Sequence, residues 1–208
     1  MSEINFIIRW GHLLSGITWI GMLYYFNFVQ GGYFKSASAE GLADAKAKLA
    51  PNALWWFRWG AMYTFFTGLY LFSTLGSTIS GNSYILLGGL MGNIMFLNVW
   101  VLIWPSQRIA LGIIEGDAPK AAAKALLASR TNTLLSAPMA FFMLASAHKH
   151  QILGGLGLDA GFYIAVGIVI LIQLNAIFGK QGPLASIKGV ILSSFALTAV
   201  LTLILHFM

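Results

Sequence analysis

The sequence contains no cysteine, and this absence excludes several kinds of site. Disulfides, thiolate zinc sites, iron–sulfur clusters and covalently attached c-type haem all require cysteine thiols. Any redox group bound by this chain must therefore be held by other side chains.

Charge is also scarce. Only 9% of the 208 residues are charged, whereas soluble globular domains carry about 25%. The chain is 58% hydrophobic and its mean hydropathy is +0.79. We therefore expect a lipid bilayer around it. The net charge of +6 comes from basic residues spread over loops between apolar runs, so we expect no nucleic-acid partner.

Six apolar runs are long enough to cross a membrane. They predict an all-α polytopic membrane protein, a single transmembrane domain over residues 1–208 with about six membrane-spanning helices. The first run lacks a basic leader, so we expect it to be a span and not a signal peptide. A Gly-x-x-x-Gly pair in the third run favours close helix packing. The predicted spans are Ile4–Gln30, Ala53–Ser77, Tyr84–Trp104, Thr131–Leu153, Gly161–Gly179 and Ile187–Phe207.

Two stretches between the spans, Ser36–Leu49 and Ser106–Ser129, are rich in alanine and lysine with some acidic residues. This composition predicts two short amphipathic helices at the membrane interface, with plain solvated loops as the alternative.

Basic residues are concentrated in the odd-numbered loops, and the opposite side receives only Arg9 and Lys149. The positive-inside rule therefore places those loops in the cytoplasm and both termini in the periplasm of a bacterial inner membrane. The basic residues of the odd loops are Lys35, Lys46, Lys48, Arg108, Lys120, Lys124, Arg130, Lys180 and Lys188.

All four histidines fall in the predicted outer half of the membrane. His12 lies about two turns below the outer surface in the first span, and His148 lies at a similar depth if the fourth span continues to Gly154–Gly155. His150 and His206 lie closer to the surface. Because intramembrane ionisable residues are costly, each is a candidate for function.

Two histidines at one depth on different helices can supply both axial ligands of haem b. We therefore predict His12 and His148 as the iron ligands, with His150 or His206 as alternatives to His148. Gly16 would leave room for the macrocycle, and Arg9 would pair with a propionate. The structural alternative is that His12 hydrogen-bonds a neighbouring helix. A copper or zinc site of histidines alone is a further option.

A second group of polar residues lies towards the cytoplasmic side of the spans. They could join helices through amide hydrogen bonds, or they could line a pocket for a small substrate, quinone or anion with Arg58 as its charge. No nucleophile-and-base pair or phosphate loop occurs in the spans, so hydrolysis is not expected. The group consists of Asn27, Arg58, Asn98, Asn132, Gln173 and Asn175.

Several short motifs together resemble the N-terminal membrane domain of bacterial urate oxidases. They lie in or next to the first four spans: Arg9-Trp10-x-His12, Gly16-Ile17-x-Trp19-Ile20-Gly21, Tyr25-Phe26-Asn27-Phe28-Val29, Arg58-Trp59-Gly60-Ala61, Asn98-Val99-Trp100, Ile103-Trp104-Pro105-x-Gln107-Arg108, and Arg130-Thr131-Asn132-Thr133-x-Leu135-Ser136-x-Pro138-Met139 through to His148.

The resemblance implies oxidation of urate with electrons passed to cytochrome c. That family commonly carries its own c-type cytochrome domain after the membrane part. No Cys-x-x-Cys-His occurs in this sequence, so the expected acceptor is a separate periplasmic cytochrome c or another membrane subunit.

The spacing from His12 to Trp19 is also similar to the first span of small membrane protoporphyrinogen oxidases and copper-resistance membrane proteins. The resemblance to the former implies that His12 belongs to a haem-type site. The sequence thus leaves two hypotheses: a haem b redox protein linked to urate or a similar small molecule, or a cofactor-free accessory subunit of a larger respiratory or oxygenase complex.

Overall fold

The computed structural model of the chain describes residues 3–76, 82–152 and 157–208, without the side chains of 149–152. The described residues form helices joined by short turns, with no strand among them. The α-helices are α1 Glu3–Tyr24, α2 Gly31–Ser36, α3 Ala39–Asp44, α4 Ala50–Ser73, α5 Ser83–Leu97, α6 Trp104–Ala110, α7 Ala118–Ile152, α8 Ala160–Phe178 and α9 Ile187–Phe207.

Three π-helical segments, Tyr25–Gln30, Ala45–Leu49 and Asn98–Ile103, join successive α-helices without a break. Residues 3–36 therefore form one helix, and residues 83–110 form another. Each π turn inserts a residue into the regular hydrogen-bond pattern, and such turns often lie at functional sites. Nothing in the hydrophobic pattern of the sequence indicates them.

In the described part of the chain, four helices are long and apolar enough to cross a membrane: Glu3–Ser36, Ser83–Ala110, Ala160–Phe178 and Ile187–Phe207. They correspond to the predicted first, third, fifth and sixth spans. The predicted second span is helical only to Ser73, where α4 ends and a turn begins at Thr74. The predicted fourth span is helical in α7 as far as Ile152. The all-helical prediction is therefore confirmed. The ends at Ser77 and Leu153, and the expected stop at Gly154–Gly155, lie outside the described residues.

The two predicted interfacial helices take a different form in the structure. Residues 39–49 form α3 and a π segment that continues directly into α4, and Ser38 caps α3 by accepting a hydrogen bond from the Gly41 amide. In the second stretch, α6 ends at Ala110, and Gly112 adopts a φ of +73° in the turn. From Ala118 the remainder forms the first turns of the 35-residue α7, because no residue there stops the helix before the predicted fourth span.

The structure contains two compact units. The first comprises residues 1–74 and 96–129, and the second comprises residues 75–95 and 130–208. In the first unit, α1 and α4 are antiparallel neighbours along much of their length.

In the second unit, α5 packs closely on α7. A Cβ atom on Gly88 would lie 3.0 Å from the amide nitrogen of Met143, and one on Gly92 would lie 3.2 Å from its Cε atom. The glycine pair predicted to favour close packing therefore lies at a helix contact. The hydroxyl of Ser194 on α9 donates to the Leu134 carbonyl of α7 at 2.7 Å.

Candidate functional site

His12 lies on α1 where that helix crosses small residues of α4. A Cβ atom on Gly60 would lie 3.1 Å from the amide nitrogen of Trp19 and 3.4 Å from the carbonyl oxygen of Ser15. One turn along α4, the Thr64 hydroxyl donates to the Ser15 hydroxyl at 2.9 Å. Small residues thus allow the two backbones to approach closely and bring the next turn of α4 against His12.

The imidazole of His12 is held by that next turn. Its Nδ1 atom lies 3.0 Å from the Thr67 hydroxyl oxygen. The Thr67 hydroxyl donates its own proton to the Tyr63 carbonyl at 2.6 Å, so its oxygen is an acceptor for the ring. This network assigns the proton to Nδ1 and leaves Nε2 with a free lone pair.

Gly68 accommodates the ring of His12. A Cβ atom at position 68 would lie 3.1 Å from Cε1 of the imidazole, so a larger residue would displace the histidine. The sequence analysis did not identify Thr67 or Gly68 as site residues. The spacing Gly60-x-x-x-Thr64-x-x-x-Gly68 in the second apolar run is the signal that could have found this face.

Arg9 and Gly16, the two other residues predicted to contact the haem, lie close to His12 in the sequence but differ in how exposed they are. Arg9 is exposed on α1. Gly16 is half-buried, and a Cβ atom there would lie 4.0 Å from Thr64 Cγ2, an ordinary contact distance. The predicted roles of both residues stay predictions.

The other histidines belong to the second unit. His148 is exposed near the C-terminal end of α7. His206 is exposed near the end of α9, with its ring edge-on to Phe207 at a centroid distance of 4.6 Å. The side chain of His150 lies outside the described residues. Pairing of His12 with any of them stays a prediction. Among the described residues, no group of three or more His, Asp or Glu side chains could hold a metal ion.

Three of the predicted pocket residues belong to the first unit. Asn27 is buried and its amide donates to the Ser129 hydroxyl at 2.8 Å. The Arg58 guanidinium carbon lies 3.4 Å from the centroid of the Trp104 ring, a cation–π contact. Asn98 is buried at the start of a π segment.

Asn132 and Asn175 belong to the second unit. Asn132 is fully buried and donates to the Met95 carbonyl at 2.9 Å, which links α7 to α5. Asn175 is exposed, and its amide bonds the backbone of Lys180 just after α8. The Asn132 contact joins two helices, as the structural alternative predicts, whereas the Asn175 contact is local to the end of α8. A shared pocket stays a prediction.

Arg130, which the sequence placed among the loop charges, is 8% exposed in the structure. Two of its side-chain nitrogens, Nε and Nη1, are buried without a hydrogen-bond partner. The sequence gives little indication of this burial, since Arg130 follows an alanine-rich, lysine-containing stretch typical of an interface.

One family model, described as urate oxidase N-terminal, matches residues 74–201 of the chain. The match covers more than half of the sequence and includes α5 to α8 and most of α9. It includes His148 and Asn132 and begins after α4, so His12 and Arg58 precede the matched range. No curated protein and no solved structure matches the chain.

Proposed function

The chain belongs to the urate oxidase N-terminal family, and we propose that it is a membrane redox protein that binds haem b and takes part in urate oxidation. Urate as substrate is supported by the family membership. A membrane location is supported by the four long apolar helices. We further propose the bacterial inner membrane, with both termini in the periplasm, on the distribution of basic residues between loops.

The observation that carries the haem proposal is the hydrogen bond from His12 Nδ1 to Thr67. Metal-ligating histidines almost always donate the second ring N–H to a neighbouring acceptor, which fixes the tautomer and the orientation of the ring. His12 meets this requirement, because its proton is assigned to Nδ1 and Nε2 remains basic. His12 therefore offers Nε2 as one ligand that suits haem iron.

His148 is the second ligand in this proposal, with His150 and His206 as alternatives. Arg9 is available for a propionate, since a guanidinium forms strong paired hydrogen bonds to a carboxylate. Gly16 leaves the face of α1 below His12 without a side chain. When bound, haem b would supply reversible one-electron exchange near the periplasmic face. A periplasmic cytochrome c or another membrane subunit is the proposed electron acceptor.

A reduced-minus-oxidised absorption spectrum of the protein purified in mild detergent tests the proposal. We expect a b-type band in the wild type, and loss of the band in His12→Ala. Single replacements of His148, His150 and His206 by alanine then identify the second ligand, since one variant should lose the band and the other two should keep it. A colourless wild-type protein that co-purifies with larger subunits would overturn the proposal in favour of a cofactor-free accessory subunit.

A further inference from the structure

In the first unit, four buried polar atoms without hydrogen-bond partners come from α4 and two π segments. Two are donors, Nη1 of Arg58 and Nε1 of Trp100. Two are acceptors, Oδ1 of Asn27 and Oε1 of Gln30. Asn27 and Gln30 belong to the π segment Tyr25–Gln30, and Trp100 belongs to the π segment Asn98–Ile103. Buried polar atoms without partners are uncommon and call for an explanation.

Ring contacts bring both π segments to the same level of α4. Phe57 meets Phe26 of the first π segment at a ring-centroid distance of 5.4 Å. Two residues later, Trp59 meets Trp100 of the second π segment at 6.1 Å.

Arg58 lies between these two contacts in the sequence of α4. Its guanidinium stacks on Trp104, the residue that follows the second π segment. Arg58 and both π segments therefore meet around one turn of α4.

The charge of Arg58 has no counter-ion among the residues that the structure describes. Arg58 is 9% exposed, and in the described part of the chain no carboxylate lies within ion-pair distance of it. Stacking on Trp104 stabilises the face of the guanidinium, but its Nη1 atom is buried and still needs an acceptor. A buried charge without a partner is strongly destabilising, so an anion bound here would remove a large penalty.

We propose that Arg58, Trp100, Asn27 and Gln30 form a binding site for a planar organic anion that carries both N–H donors and carbonyl acceptors. The two donors would meet carbonyl or anionic oxygens of the ligand, and the two amide oxygens would accept from its N–H groups. The ring of Trp59 contacts that of Trp100, and the ring of Trp104 contacts Arg58, so aromatic side chains adjoin both donors of the proposed site. Urate, which is an anion at neutral pH, has this chemistry, and its identification as the ligand rests on the proposed function.

The mixture of donors and acceptors distinguishes this ligand from simpler ones. Sulfate or a plain carboxylate offers no proton to Asn27 or Gln30 at neutral pH. A neutral purine offers donors and acceptors but leaves the Arg58 charge unbalanced.

Equilibrium dialysis of radiolabelled urate against the full-length protein in lipid nanodiscs tests the site. In the wild type, we expect unlabelled urate to compete better than hypoxanthine, a neutral purine, and better than benzoate, a planar anion without N–H groups. Equal competition by hypoxanthine or by benzoate would overturn the proposal, and this test needs no variant to fold.

Variants locate the site. Arg58→Gln should weaken urate binding at least about tenfold, because it removes a charge-assisted hydrogen bond. Trp100→Phe keeps an aromatic ring, removes the indole N–H and should weaken binding about three- to tenfold. Lys124→Gln is the control, since it removes one positive charge from an exposed residue of α7.

Circular dichroism and gel filtration report whether each variant is folded, and Arg58→Lys provides a second variant that keeps the charge. A folded Arg58→Gln variant that binds urate as the wild type does would contradict the site. If the protein keeps a b-type band but binds no urate, the anion site fails while the haem proposal stands. If urate binds at Arg58 in a colourless protein, the haem proposal fails and the anion site stands.

Discussion

Replacing Gly60 with alanine tests whether close packing of α1 on α4 holds the His12 site together. The new Cβ atom would lie 3.1 Å from the Trp19 amide nitrogen, 3.3 Å from Thr18 Cγ2 and 3.4 Å from the Ser15 carbonyl oxygen. Two of these three atoms belong to the backbone of α1 and cannot rotate away. The helices must therefore separate by a few tenths of an ångström or more.

The magnitude follows from two opposing terms. Overpacking of a tight contact costs about 1–3 kcal/mol. Alanine in place of glycine within a helix recovers about 1 kcal/mol of intrinsic propensity. Gly21 on α1 is the matched control, because a Cβ atom there would meet nothing within 4 Å. Since the propensity term is common to both variants, their difference isolates the overpacking term of about 1–3 kcal/mol.

Thermal unfolding in detergent, followed by circular dichroism, measures this difference. For a chain of this size, each kcal/mol shifts the midpoint by about 2–4 °C, so Gly60→Ala should unfold about 2–12 °C below Gly21→Ala. Haem content should fall in Gly60→Ala and remain unchanged in Gly21→Ala. Equal midpoints and equal haem content in the two variants would refute the close-packing reasoning.

Three further outcomes are expected. Thr67→Val removes the acceptor of the His12 Nδ1 proton and should weaken haem affinity about 10- to 100-fold in a haem titration. The control Thr202→Val loses only a hydrogen bond within α9 and should bind haem as the wild type does. Asn132→Leu should lower the free energy of unfolding by about 0.5–2 kcal/mol in a denaturant titration, because it removes the hydrogen bond between α7 and α5. The control is Asn93→Leu, whose side chain is exposed and bonds only within α5. An equal effect of the two replacements would contradict this reason. Alkaline phosphatase fused to the C-terminus should be active, since we expect that terminus in the periplasm, and an inactive fusion with an active cytoplasmic reporter at the same place would reverse the topology.

The helices could be predicted from the sequence because long apolar runs carry a strong signal. The predicted sixth span and α9 share the same bounds, Ile187–Phe207, where Ser186 caps the helix by accepting from the Gly189 amide. The stretch from Ser106 to Ser129 was harder, because an amphipathic composition does not reveal whether a helix stops before the next span. In the structure, the part of this stretch from Ala118 onwards forms the beginning of α7.

The candidate site was only partly predictable. His12, Asn27 and Arg58 could be identified because a polar or charged residue in an apolar run is conspicuous. Thr67 and Gly68 could not, since their role arises from the antiparallel register of α4 against α1, which depends on packing. The π segments could not be predicted from the sequence either, because a single inserted residue leaves the apolar pattern almost unchanged.

The most direct test of urate-linked redox function is anaerobic addition of urate to the oxidised, purified protein while its absorption spectrum is recorded. We predict that urate produces the reduced b-type band in the wild type, and that Arg58→Gln gives the band with dithionite but not with urate at the same concentration. A wild-type protein that dithionite reduces and urate does not would contradict the proposed function.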